Sequence, residues 1–256
     1  MRFLLTAFVP ACLAAQSLIE PPALIQLVRK PGIAQGLVRP YSDAGAALDV
    51  LGLTAVTGYP ESWFVELHYN WTSIEETDKK LAAAGYRAVD PGLAVSGDDV
   101  LAPARTMIAS FRPSWSYRAD QAIRSLPRAR YFQVTIYRIR AGTERDFGEL
   151  IRLRRARQDS VNLDRPDLAY SVISGAPSGT YIFLSPIQSL RTMDDGVADI
   201  PVWAEGLADT ASKQRSNVAP QAELSREHLL FRVEPKISYV SEGFTSADAA
   251  FWRGKN

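Results

Sequence analysis

One order of sequence signals recurs in the two halves of this chain, and that repetition limits the fold more than any single residue does. A strand-like run ends in a basic, glycine-closed corner at Arg29-Lys30-Pro31-Gly32 and again at Arg138-Ile139-Arg140-Ala141-Gly142. A glycine-proline turn follows at Thr57-Gly58-Tyr59-Pro60-Glu61 and at Ser174-Gly175-Ala176-Pro177-Ser178. A second strand-like run then leads into a helix start, at His68 to Glu75 and at Pro186 to Arg191.

The second half carries the clearer signals. Phe132, Val134 and Ile136 alternate with Tyr131, Gln133, Thr135 and Tyr137, so the spacing predicts a strand with one oily and one semi-polar face. Thr143 opens a helix with Glu144 and Asp146 in its first turn and Phe147, Leu150 and Ile151 at helical spacing. Leu168 to Ser174 and Thr180 to Ser185 read as a hairpin, interrupted helix runs from Met193 to Glu227, and Leu229 to Val240 reads as the last strand. In the first half, Ala23 to Arg29 reads as strand, Ile33 to Leu51 mostly as helix, and Leu53 to Thr57 with Trp63 to Tyr69 as a hairpin. A helix over Ser73 to Ala84 has capping-box spacing at Ser73 and Glu76, and Met107 to Phe111 closes the half.

Each half thus follows the split βαβ, or ferredoxin-like, order. A four-stranded sheet with both helices on one side leaves its other face to water, and a second copy covers it. The expected class is therefore α+β: two ferredoxin-like repeats packed sheet to sheet as an intramolecular α/β barrel. The expected layout is a signal peptide at 1–15, repeats at 16–113 and 131–244, a connector at 114–130 and a tail at 245–256. The run Tyr137 to Gly142 leading into Thr143 to Leu150 resembles the opening of dimeric α/β-barrel proteins, the NIPSNAP-like members especially. That resemblance implies the barrel, a fold that hosts cofactor-independent oxygenases and isomerases. The chain departs from such enzymes in showing no haem-ligand or oxygenase signature.

Met1-Arg2, the apolar run Phe3 to Ala11 and the small residues Ala11 to Ala15 have the layout of an export signal, too short to span a bilayer. Cys12 is the only cysteine, so cleavage after Ala14 or Ala15 would leave no disulfide and no thiolate chemistry. An export route, periplasmic or extracellular, is expected, with lipid attachment at Cys12 a minor alternative. With 29 basic and 28 acidic residues, nothing draws the chain to nucleic acid.

Glu66, His68 and Asn70 occupy alternate strand positions, roughly 7 Å apart, and so share a face. A carboxylate beside an imidazole can keep it oriented and basic, which makes His68 with Glu66 the candidate catalytic pair. The semi-polar strand face, with Gln133, Thr135 and Tyr137 joined by Asn70, is expected to line a cavity between the sheets. His228 is expected at a helix end, capping carbonyls. No HxxxH or HxH spacing points to a metal, and no cofactor is expected. The chain is thus expected to bind a small, partly aromatic ligand between its sheets, or to act as a structural module. The alternative is a monooxygenase- or isomerase-type enzyme with His68 as base, and a third reading makes His68 an axial haem ligand. Association of copies stays open.

Overall fold

A computed structural model describes residues 20–32, 39–86, 104–198 and 221–254. The expected signal peptide, Cys12 and residues 199–220 of the expected interrupted helix runs lie outside these residues. Among the described residues there are eight strands: β1 (Leu24–Pro31), β2 (Asp49–Ala55), β3 (Glu61–His68), β4 (Arg105–Phe111), β5 (Tyr131–Ile139), β6 (Leu168–Ser174), β7 (Thr180–Ile187) and β8 (Glu223–Val233). The helices among them are α1 (Arg39–Asp43), α2 (Trp71–Ala83), α3 (Ala119–Ser125), α4 (Glu144–Ser160), α5 (Arg191–Ala198), α6 (Glu242–Ala247) and α7 (Ala249–Trp252).

The strands form one closed antiparallel barrel in the order β1-β3-β2-β8-β5-β7-β6-β4. Within it each half keeps the same internal order, β4-β1-β3-β2 and β8-β5-β7-β6. The fold is the expected α+β barrel, and its two sheets are also sewn together along their edges. One seam joins β4 to β6 from Ile108↔Ser174 to Phe111↔Tyr170, and the other joins β2 to β8 through Leu53↔Val233, Thr54↔Arg232 and Ala55↔Phe231. The pairing closes the ring at these two seams, while residues 223–229 of β8 pair with β5 alone.

Strand alternation decides what faces inward. Leu27, Leu53, Trp63, Val65, Val134, Ile182 and Phe231 belong to a single buried cluster drawn from both halves. Trp63 and Phe231 meet across it with ring centroids 4.4 Å apart. The residual space inside, walled by Ile25, Leu51, Phe132 and Tyr170 among others, is only about 10 Å3. Among the described residues the barrel is therefore filled, and space for the expected ligand does not open between the sheets at this point.

Several local expectations shift. Residues 49–51 are strand, because Val50 and Leu51 continue the buried run of β2, so the helix expected up to Leu51 is confined, among the described residues, to α1. The capping residue of α2 is Asn70, whose side-chain oxygen accepts from the Ser73 N–H at 2.8 Å, three residues earlier than the box expected at Ser73. Residues 223–227 are strand, not helix, so His228 sits inside β8. Thr143 precedes α4 as expected, but its hydroxyl donates back to the Arg140 carbonyl at 2.8 Å. Residues 248–252 are docked: Trp252 donates to the Pro127 carbonyl at 2.7 Å, and Arg130 pairs with Asp248 while covering Phe251.

Candidate functional site

With the apolar faces turned inward, the polar alternate positions point outward, beneath the helices. In the first half this gathers a buried polar cluster. Glu66 lies opposite Gln26 in the β1–β3 ladder and is 3% exposed. Its carboxylate accepts from the Tyr41 hydroxyl at 2.5 Å, from His68 Nε2 at 3.1 Å and from Gln26 Nε2 at 3.4 Å. The expected Glu66–His68 pair is thus brought together. Burial, then the Glu66 carboxylate, pushes the Tyr41 hydroxyl far up, so it stays a donor. The same two causes raise Asp78, with His68 opposing.

His68 is 0% exposed, and its other nitrogen, Nδ1, lies 3.1 Å from Ser73 Oγ. Both ring nitrogens therefore have protein partners. Neither is presented to open space as a general base would need, nor is one left for an iron atom, so the haem reading does not fit this imidazole. Asn70 is exposed, and its side chain is committed to capping α2. The cluster reads as a satisfied buried network that fixes β1, β3, α1 and α2 to one another.

In the second half, Gln133, Thr135 and Tyr137 also face outward, which corrects the expectation that they line a space between the sheets. Their oily neighbours Phe132 and Val134 take the dry interior instead. Tyr137 is packed under α4, 5.1 Å from Phe147 and 5.3 Å from Phe183 by ring centroids. Thr135 lies opposite His228 on β8, Oγ1 to Nδ1 at 3.1 Å. Burial, then the nearby Arg226 and Arg154, lowers the His228 pKa.

Gln133 has a different setting. It stands opposite Ser185 in the β5–β7 ladder, the position that Gln26 and Glu66 share in the β1–β3 ladder. Where the first half places a long carboxylate and the Tyr41 ring, the second has the short Ser185, and a cleft of about 210 Å3 opens there. Gln121 and Ser125, one turn apart on α3, form one wall. Asp164, Arg165 and Pro166 form a second, and Pro186, Ile187, Gln188 and Thr192 complete it. Beyond Leu184 the strand β7 pairs with β5 alone, so Pro186 is tolerated without its N–H and the chain before β6 can swing away.

That wall is held from behind. Asp167, 1% exposed, accepts from the Tyr117 N–H at 3.1 Å and from Arg154 Nη2 at 2.5 Å. Burial raises its carboxyl, against the pull of Arg154. Arg165 donates to the Thr192 carbonyl at 2.7 Å, and Gln121 donates to Asp164. Of the cleft residues, only Gln133 was expected from sequence. Ser185 was within reach through strand alternation, whereas Gln121, Asp164 and Arg165 converge only once α3 and the loop before β6 are folded.

No family model matches the chain, and no curated protein does. Solved structures similar to it include a chlorite dismutase from Candidatus Nitrospira defluvii in complex with imidazole, with a TM-score of 0.47 at 7% identity, covering 91% of this chain and 98% of that one. An anthrone oxidase-like protein gives 0.46 at 9%, covering 84% and 93%. A candidate monooxygenase from Lactobacillus acidophilus NCFM gives 0.47 at 7%, covering 85% and 96%. Likenesses this low say nothing about reaction or ligand.

Proposed function

We propose that the chain is a small-ligand-binding α/β-barrel protein that works through the outer-face cleft of its second half. The observation that carries this is the contrast between a barrel interior with about 10 Å3 left and a polar cleft of about 210 Å3 beside Gln133. The cleft is smaller than the ~300–1,000 Å3 of drug-sized sites, so the ligand is small. Among the described residues no aromatic side chain lines it, so the expected aromatic character of the ligand has no support here. The equivalent first-half position is filled by Glu66 and Tyr41, so one ligand per chain is expected.

Native mass spectrometry of the protein purified from its own host tests this. The expected result is one excess mass of metabolite size per chain, absent from Ser185→Leu, whose longer side chain fills the floor of the cleft, with the variant's thermal midpoint close to that of the parent. An excess mass that survives Ser185→Leu, or none in either protein, would remove the proposal.

Export and a tandem origin for the two halves, with NIPSNAP-like kinship, belong to the same proposal. The N-terminal charge and hydropathy pattern supports the first, and the matching strand orders support the second. Expressed in its host, the protein is expected to have a mature mass lacking residues 1–14 or 1–15; an intact Met1 on protein recovered outside the cytoplasm would refute cleavage.

A further inference from the structure

We infer that the cleft takes a small zwitterion, a molecule with one carboxylate and one ammonium group such as a polar α-amino acid. This rests on the cleft being the binding site and adds the class of ligand. Asp164 and Arg165 are its two charged lining residues, adjacent in the chain and opposite in sign. They form no salt bridge with each other, and among the described residues neither is paired with another charged group. Arg165 uses Nη2 on the Thr192 carbonyl, and Asp164 uses Oδ1 on Gln121. Each contact fixes its side chain while leaving charged hydrogen-bonding capacity: Nε and Nη1 on the guanidinium, Oδ2 on the carboxylate.

A net anion would find Asp164 opposing it, and a net cation would find Arg165. A ligand carrying both charges satisfies both, and the lining's formal charge of zero matches a neutral whole. Gln121, Gln133 and Gln188 supply amides that donate and accept, and Ser125, Ser185 and Thr192 supply hydroxyls. Asp164 is exposed and Gln133 half-buried, so the charged head sits at the mouth and a polar side chain points down toward Gln133 and Ser185.

Isothermal titration of the full chain with free glutamine and serine, N-acetylglutamine, glutamine amide and glucose tests the inference. At least one free amino acid is expected to bind. Removing either head charge should weaken binding about tenfold to a hundredfold, the scale of a charge-assisted hydrogen bond. Arg165→Gln should lose the preference for the carboxylate, and Asp164→Asn the preference for the ammonium. Equal binding of the charge-stripped compounds or of glucose would overturn the zwitterion class. So would silence from all five, and if the host-purified protein still carried an excess mass that Ser185→Leu abolishes, the cleft would stand as a binding site for another class. Silence together with no native ligand would bring down both.

Discussion

Replacing Glu66 with alanine is expected to lower the stability of the chain by about 3–5 kcal/mol, because each buried donor left without its acceptor costs about 1–3 kcal/mol. The carboxylate is 3% exposed and collects hydrogen bonds from Tyr41, His68 and Gln26. Without it three donors from β1, β3 and α1 lose their acceptor in a space closed to water, and each bears a desolvation cost. Glu66→Gln keeps the shape and one acceptor oxygen, and should fall between the parent and the alanine variant. Urea unfolding decides the matter. A lower midpoint at unchanged slope is the expected signature, and a loss under about 1 kcal/mol would show that the cluster does not hold the first half together.

The second large effect is expected at Gly175. Its φ of +84° lies in the left-handed region, and a Cβ there would run into the Thr106 carbonyl and come within 2.8 Å of Met107 Cα. Those atoms are backbone and cannot rotate away. Arg105 also donates to the Gly175 carbonyl at 3.0 Å, which pins the hairpin against β4 beside the seam that closes the barrel. Gly175→Ala should therefore cost about 3 kcal/mol or more, in the tail of single-substitution effects. Gly142 provides the comparison: its φ is +83°, yet a Cβ there meets nothing within 4 Å. Gly142→Ala should bear only the left-handed backbone cost of about 1–2 kcal/mol. Equal losses in the two variants would show that the approach to β4 contributes nothing.

The fold was readable because its signals are local. Period-two alternation marks β5, and the left-handed glycines Gly58 and Gly175 mark the hairpins of the two halves. What alternation cannot give is which face lies where. The semi-polar face of β5 could line a void only if the barrel had one. Large side chains such as Trp63, Phe132 and Phe231 fill it instead, so Gln133, Thr135 and Tyr137 turn toward the helices. Spacing alone put Glu66 beside His68. It could not show that Tyr41 and Ser73 complete the cluster, because those partners arrive from helices whose placement depends on packing. Asn70 left the shared face because β3 ends at His68 and the chain turns into α2. His228 read as a helix end because polar, charged neighbours hide a strand that is exposed over most of its first half.

The two joins between the halves are unequal. The β2–β8 join holds three residue pairs, Leu53↔Val233 to Ala55↔Phe231, against four in the β4–β6 join. The ring thus has a clasp. When the molecule breathes, the least riveted joint parts first, and Trp63 and Phe231, which sit beside it, are the rings that water would wet before any others.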